Sequence, residues 1–114
     1  MKFGIVIAAA AAVLSTPAAA ADAEKDAVKA VVKAVNHGDD LNAAFPGAVS
    51  AREIASLKRV AKCMAQNLMR QAPGRYTVVW VCGQQALGME VLLTDGRVTS
   101  VTTMEVVSRP NRER

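Results

Sequence analysis

Cys63, Cys82 and His37 are the side chains of this 114-residue sequence whose chemistry goes beyond packing and charge. Two thiols with 18 residues between them have three uses: an internal disulfide, a reactive redox pair, or pairing between chains. A redox pair calls for C-x-x-C spacing or a nearby imidazole to lower a thiol pKa, and the chain has neither. The internal disulfide Cys63–Cys82 is therefore expected. In the chain-entropy view it contributes about 3 kcal/mol, a large share of the stability of a small domain. His37 sits beside Gly38, where a helix-terminal residue is the plain reading. With Asp39 and Asp40 it falls short of a metal site, and no H-x-x-x-H, G-x-S-x-G or phosphate-cradling loop occurs. Glu90 and Glu105 are the remaining carboxylate pair; strand alternation puts both on one outer face with Thr99 and Thr103, as solvated residues. The expectation is a non-enzyme, without metal, cofactor or catalytic residues.

The compartment follows from the first residues. Lys2 precedes an uninterrupted small and apolar run, Phe3 to Leu14, which Ser15-Thr16-Pro17 breaks before the small residues Ala18 to Ala21. That is the layout of a secretory signal peptide, with cleavage at Ala20/Ala21 or Ala21/Asp22. Twelve apolar residues are too few to cross a hydrocarbon core that needs about 20. No cysteine lies near the cut to carry lipid. The expected organisation is a leader over 1–21, one α+β domain over 22–107 and a basic tail over 108–114, with the protein periplasmic or secreted. Export puts the two cysteines in an oxidising compartment.

The elements that must hold the cysteines follow from periodicity. Ala27, Val28, Val31, Val32 and Val35 recur at helical spacing from Ala23 to Asn36, with acids in the first turn and Gly38 to end the helix. Leu41 and Phe45 are the expected plugs of the connection, with a turn at Phe45-Pro46-Gly47. Ser50 and Glu53 match a capping box, and Val49 and Ile54 a hydrophobic staple. This predicts a second helix from Ala51 to about Gln71, stopped by Pro73-Gly74, with a stripe of Ile54, Leu57, Ala61, Met64 and Leu68. Cys63 falls on the edge of that helix. The period then becomes two: Tyr76, Val78, Trp80 and Cys82 share a strand face, and Met89–Thr94 and Arg97–Val107 form a hairpin about Asp95-Gly96. Register about that turn sets Leu93 opposite Val98 and Val91 opposite Ser100, with Met104 and Val106 facing the helices.

The fold class is thus α+β: two helices on one face of a three-stranded antiparallel sheet (ααβββ), with one disulfide. The element order resembles two groups. One is the two-helix, three-strand fold of small bacterial envelope proteins that includes outer-membrane assembly lipoproteins and a β-lactamase inhibitor. The other is the cystatin-like and nuclear-transport-factor-like superfold, whose first helix often ends in a Gly-Asp step, as Val35-Asn36-His37-Gly38-Asp39 does. The second resemblance implies a small-ligand pocket between the first helix and a concave sheet, lined by Trp80, Met89, Val91 and Met104.

Two surfaces remain as candidates. Residues 22–49 carry three lysines against five acids, whereas residues 50–114 carry ten basic residues against five acids. Arg52, Arg59, Lys62 and Arg70 form a basic face on the second helix, suited to weak contact with an anionic envelope surface. Val79, Val81, Leu92 and Val101 form an apolar patch on the outer sheet face, a contact surface for a protein partner or a second copy. Nucleic acid is not expected, since only 4% of residues are aromatic and stacking platforms are lacking. The reading is an exported non-enzymatic domain that works by protein contact. Its alternative is the cystatin-like ligand-binding module. Thiol titration of the denatured, unreduced protein is expected to find no free thiol; two would refute the disulfide.

Overall fold

A computed structural model describes residues 17–106, with side chains described for 19–105. The run 3–14 and the tail 108–114 lie outside the described residues. Among these residues three helices, α1 (Pro17–His37), α2 (Leu41–Ala44) and α3 (Ala51–Arg59), precede four strands, β1 (Met64–Ala72), β2 (Arg75–Cys82), β3 (Gln85–Thr94) and β4 (Arg97–Val106). The strands form one antiparallel sheet in the order β1-β2-β3-β4. The class is α+β with helices on an antiparallel sheet and one disulfide, but the sheet has four strands and not three.

The first helix starts earlier than its periodicity suggests. Because α1 begins at Pro17, Asp22, Glu24 and Asp26 lie beyond its first turn, so they do not meet the dipole as expected. Its end is as predicted. Gly38 at φ +73° donates its N–H to Val35 O (3.1 Å) and Asp39 N–H reaches Ala34 O (2.9 Å), the paired bonds of a Schellman stop. Asp40 then caps α2 by accepting from the N–H groups of Asn42 and Ala43.

The second helix is shorter than predicted, and its lost half is a strand. α3 ends at Arg59, Cys63 lies in the turn that follows, and Met64–Ala72 pairs with β2. The segment MAQNLMRQA is rich in good helix formers, so propensity alone favours the wrong element. Tertiary constraint decides instead. The Cys63–Cys82 disulfide, with Cα atoms 5.2 Å apart, holds the start of β1 against the end of β2, where Met64 pairs with Val81. Pro73-Gly74 is then a hairpin turn and not a helix stop. Met64, assigned above to the core stripe, is 63% exposed, whereas Leu57 is fully buried.

A second correction comes from one residue in β4. Leu93 faces Val98 as predicted, and the Asp95-Gly96 turn has positive φ at both residues, but Thr99 is an extra residue and Ser100 pairs with Leu92. The bulge flips the parity beyond it. Val91 therefore faces Val101, which turns inward and is 1% exposed, while Met104 turns outward. Glu90 and Glu105 consequently occupy opposite faces, since Glu90 pairs with outward Thr77 and Glu105 with buried Leu87.

The core lies between the helices and the inner sheet face. Val28, Val31 and Val35 of α1 and Leu57 of α3 close over Tyr76, Val78, Trp80, Leu87, Met89, Val91 and Val101. Full burial of such side chains contributes about 1.5–3 kcal/mol each. Trp80 Nε1 has no hydrogen-bond partner among the described residues, which offsets part of that gain.

Gly74 is the tightest point. Its φ is +76°, its carbonyl accepts from Leu93 N–H (2.8 Å), and a Cβ there would stand 2.7 Å from Leu93 O. Gly74→Ala is expected to destabilise by about 1–3 kcal/mol through strain and overlap. Gly83→Ala, at φ +64° with open space around it, should cost less in the same urea titration. Equal costs would contradict the close packing of the β1–β2 turn on β3.

Candidate functional site

Among the described residues helices cover only the inner face of the sheet, and the outer face can be built row by row from the strand register. Directly paired residues of antiparallel strands point to the same side. One row runs Met64, Val81, Ala86; the next runs Gln66, Val79, Gly88, Met104; a third runs Met69, Thr77, Glu90, Thr102. Leu92 lies one row further on, between Arg75 and Ser100. Met64, Met69 and Met104 are the exposed large hydrophobic residues among those described, at 63%, 55% and 53%, and all three stand on this face. Flexible thioether side chains adapt to a partner's shape better than branched ones do. The face carries few charges: its Arg75 and Glu90 pair with each other at 2.7 Å, and Arg97, opposite Thr94, lies at its hairpin end.

The sequence-predicted patch is thus partly relocated. Val79, Val81 and Leu92 share the outer face and are half-buried by their neighbours, whereas Val101 belongs to the core because of the Thr99 bulge. Met64, Gln66 and Met69 were missed because their segment reads as helix. The basic set is also divided. Arg52 and Arg59 are exposed on α3 and Lys62 in the turn after it, but Arg70 lies on β1 with its Nε 3.7 Å from Glu24. The helical layer still has a basic surface. Lys25, Lys29, Lys33, Arg52, Lys58, Arg59 and Lys62 are exposed there against Asp22, Asp26, Asp39 and Asp40.

The two sheet edges are closed by different means. On β4, Val101 N–H donates to Ala48 O (2.9 Å), and Thr103 donates through its N–H and its hydroxyl to the Glu53 carboxylate (3.1 and 3.2 Å). The capping box is therefore half-formed: Ser50 Oγ accepts from Glu53 N–H, but the Glu53 carboxylate serves β4. On β1, the ladder is interrupted between Gln66 and Met69 around Asn67, whose φ is +56°, and again between Arg70 and Ala72. Occupied donors and bulges both discourage strand addition.

Glu24 fastens α1 to the β1–β2 turn. It accepts from Gly74 N–H (3.2 Å), lies near Arg70, and adjoins the Tyr76 phenol, which donates to Ala21 O (3.2 Å). Burial first, and the Glu24 carboxylate second, raise the Tyr76 pKa above its ordinary value near 10. No catalytic arrangement accompanies this shift; Ala21 O and Glu24 are structural partners.

The pocket expected from the ligand-binding alternative would have been lined by Trp80, Met89, Val91 and Met104. The first three are packed to 0% exposure and the fourth lies on the opposite face. Depressions among the described residues lie elsewhere. One of about 240 Å³ lies between Lys29 and Val32 of α1 and Ala65, Leu68 and Val78, below the usual ligand-pocket range. Another of about 560 Å³ opens beside the Asp95-Gly96 turn, against Pro46 and Arg97. Among the described residues no three His, Cys, Asp or Glu side chains gather as metal ligands, and His37 stands at the exposed end of α1. No helix among them is long and apolar enough to cross a membrane.

No protein-family model matches the chain, and neither does any curated protein or solved structure. The functional reading therefore rests on the geometry.

The raised phenol pKa has a signed consequence. The folded state holds the Tyr76 proton more tightly than the unfolded chain does, so this contribution is intact below about pH 10 and is lost as pH rises through the folded value. Tyr76→Phe is expected to lose less stability than the parent between pH 9 and 11, because it has no phenol proton to release. Urea midpoints across that range are the measurement; parallel pH curves would contradict the assignment.

Proposed function

We propose that this protein is a small exported, non-enzymatic domain that acts by protein–protein contact through the outer face of its sheet. The observation that carries the reading is the placement of the exposed methionines: Met64, Met69 and Met104 all stand on the sheet face that no helix among the described residues covers. Val79, Val81 and Ala86 join Met64 and Met104 into an apolar patch, and Met69 and Leu92 flank the polar residues Thr77 and Glu90 beyond it. A patch of this kind on a small domain marks a contact site. Its near-neutrality suits a folded partner surface that is itself apolar and uncharged. Edge pairing is the less suitable mode, since β4 donors are occupied and β1 is bulged.

Export is supported by the Cys63–Cys82 disulfide, which persists in oxidising compartments, and by the apolar run that precedes Ala20/Ala21 and Ala21/Asp22. The compartment is the periplasm or the extracellular medium. The basic helical layer supplies a weak, salt-sensitive attraction to anionic envelope surfaces and leaves the sheet face free for the partner.

A photoreactive residue tests the contact in the cells that make the protein. Placed at 104 it should give an ultraviolet-dependent adduct that is lost on adding Val81→Asp. Placed at 33, on the exposed side of α1, it should give none that responds to Val81→Asp. Failure of position 104 to give any adduct would overturn the reading.

A further inference from the structure

We infer that the Cys63–Cys82 disulfide is a redox switch between two folds of one segment. In the disulfide form residues 64–72 are the fourth strand; in the dithiol form residues 60–71 continue α3 as helix, and the contact face loses Met64, Gln66 and Met69. The inference rests on the contact reading above and supplies its regulation. Its first support is where α3 ends. No glycine or proline stands between Ala51 and Ala72, so the end at Arg59 has no stopping residue of its own. The chain in fact stays wound beyond it. Val60 N–H donates to Leu57 O (3.1 Å), Ala61 N–H to Lys58 O (3.4 Å) and Cys63 N–H to Val60 O (2.9 Å). Winding stops at the crosslinked cysteine, and β1 begins at the next residue.

β1 is poorly made as a strand. It holds no β-branched or aromatic residue, all but Ala65 and Leu68 are exposed, and Asn67 sits at φ +56° where the ladder is interrupted. As helix the same residues need no nucleus, because α3 supplies one. Ala61, Met64 and Leu68 then extend the stripe of Ile54 and Leu57 at spacings of 3 and 4. The reach suffices: a helix from Cys63, beside the end of β2, to Gln71 covers about 12 Å, and the extended steps on to Arg75 add about 13 Å, against about 23 Å of β2. The covalent step is thiol–disulfide exchange. The thiolate of an external dithiol attacks one sulfur and expels the other cysteine as a thiolate. Its second thiol then displaces the first cysteine, so the dithiol gives up two electrons and two protons and both cysteines become thiols. Both cysteines are half-buried and Gly83 beside them is exposed, which leaves the bond open to attack. A thiol-rich cell interior favours the helix, and an oxidising compartment the strand.

Nuclear Overhauser spectra of the protein, purified from its own cells with its disulfide intact and then reduced with dithiothreitol, test the switch. The reduced protein should show i to i+3 contacts from Ala51 through Arg70 and lose the contacts of Gln66 with Val79 and of Met69 with Thr77. Asn67 supplies an independent readout. At φ +56° glycine suits the strand, whereas alanine suits the helix. The equilibrium constant for reduction by dithiothreitol should therefore be at least about tenfold higher for Asn67→Ala than for Asn67→Gly. A reduced protein that keeps the β1–β2 contacts, frays at β1 without forming helix, or unfolds as a whole overturns the switch, and so do equal reduction constants for the two variants. The switch and the contact reading fail separately. If the reduced helix is missing while position 104 still forms its adduct, the switch falls and the contact reading stands. If the helix appears and position 104 forms no adduct in the disulfide-bonded protein, the contact reading falls and the switch stands.

Discussion

The Cys63–Cys82 crosslink is the constraint on which the remaining architecture depends. It joins the residue just before β1 to the last residue of β2, and Met64 opposite Val81 is the first pair it enforces. The chain between the two cysteines must then fold back at Pro73-Gly74, and the segment 64–72 becomes a strand despite residues that favour helix. Closing that loop contributes about 3 kcal/mol. It also carries Ala65 and Leu68 to the inner face beside Trp80 and Val78, and Met64 and Met69 to the outer one. Without the fourth strand the outer face would lose two of its three exposed methionines.

The resulting molecule has two unlike sides. Helices packed on Tyr76, Trp80, Met89 and Val101 hide one sheet face and show a basic surface to solvent, while the other sheet face, uncovered among the described residues, presents methionines and valines among a few polar side chains. Glu53 links the two layers by satisfying Thr103 on β4, and Glu24 does so at the Gly74 turn. Both carboxylates are used to fasten helices to the sheet.

Much of this was legible from residue order, and the losses have specific causes. The disulfide, the Gly38 stop, the Ser50 cap, the Asp95-Gly96 turn and the inward set Tyr76, Val78 and Trp80 follow from local chemistry, which the structure leaves unchanged. The strand at 64–72 was hidden because its helical propensity, and the 3, 4, 3, 4 apolar spacing that runs into it from Ile54 to Leu68, outweigh any period of two. A signal was nonetheless present. Cys63 lies 10 residues before Pro73 and Cys82 lies 8 after Gly74, so the cysteines nearly mirror each other about a turn dipeptide, as partners across a hairpin must. The interchange of Val101 and Met104 had no such signal. A single added residue, Thr99, reverses the face of everything beyond it, and alternation carries no mark of where a bulge falls.

The disulfide holds 64–72 as the fourth strand and thereby builds the outer face. Nuclear Overhauser contacts in the oxidised protein test this: cross-strand contacts are expected between Gln66 and Val79 and between Met69 and Thr77, with no sequential helical pattern between 64 and 72. Continuous i to i+3 contacts from Ala51 through Arg70, with no contact to β2, would contradict it.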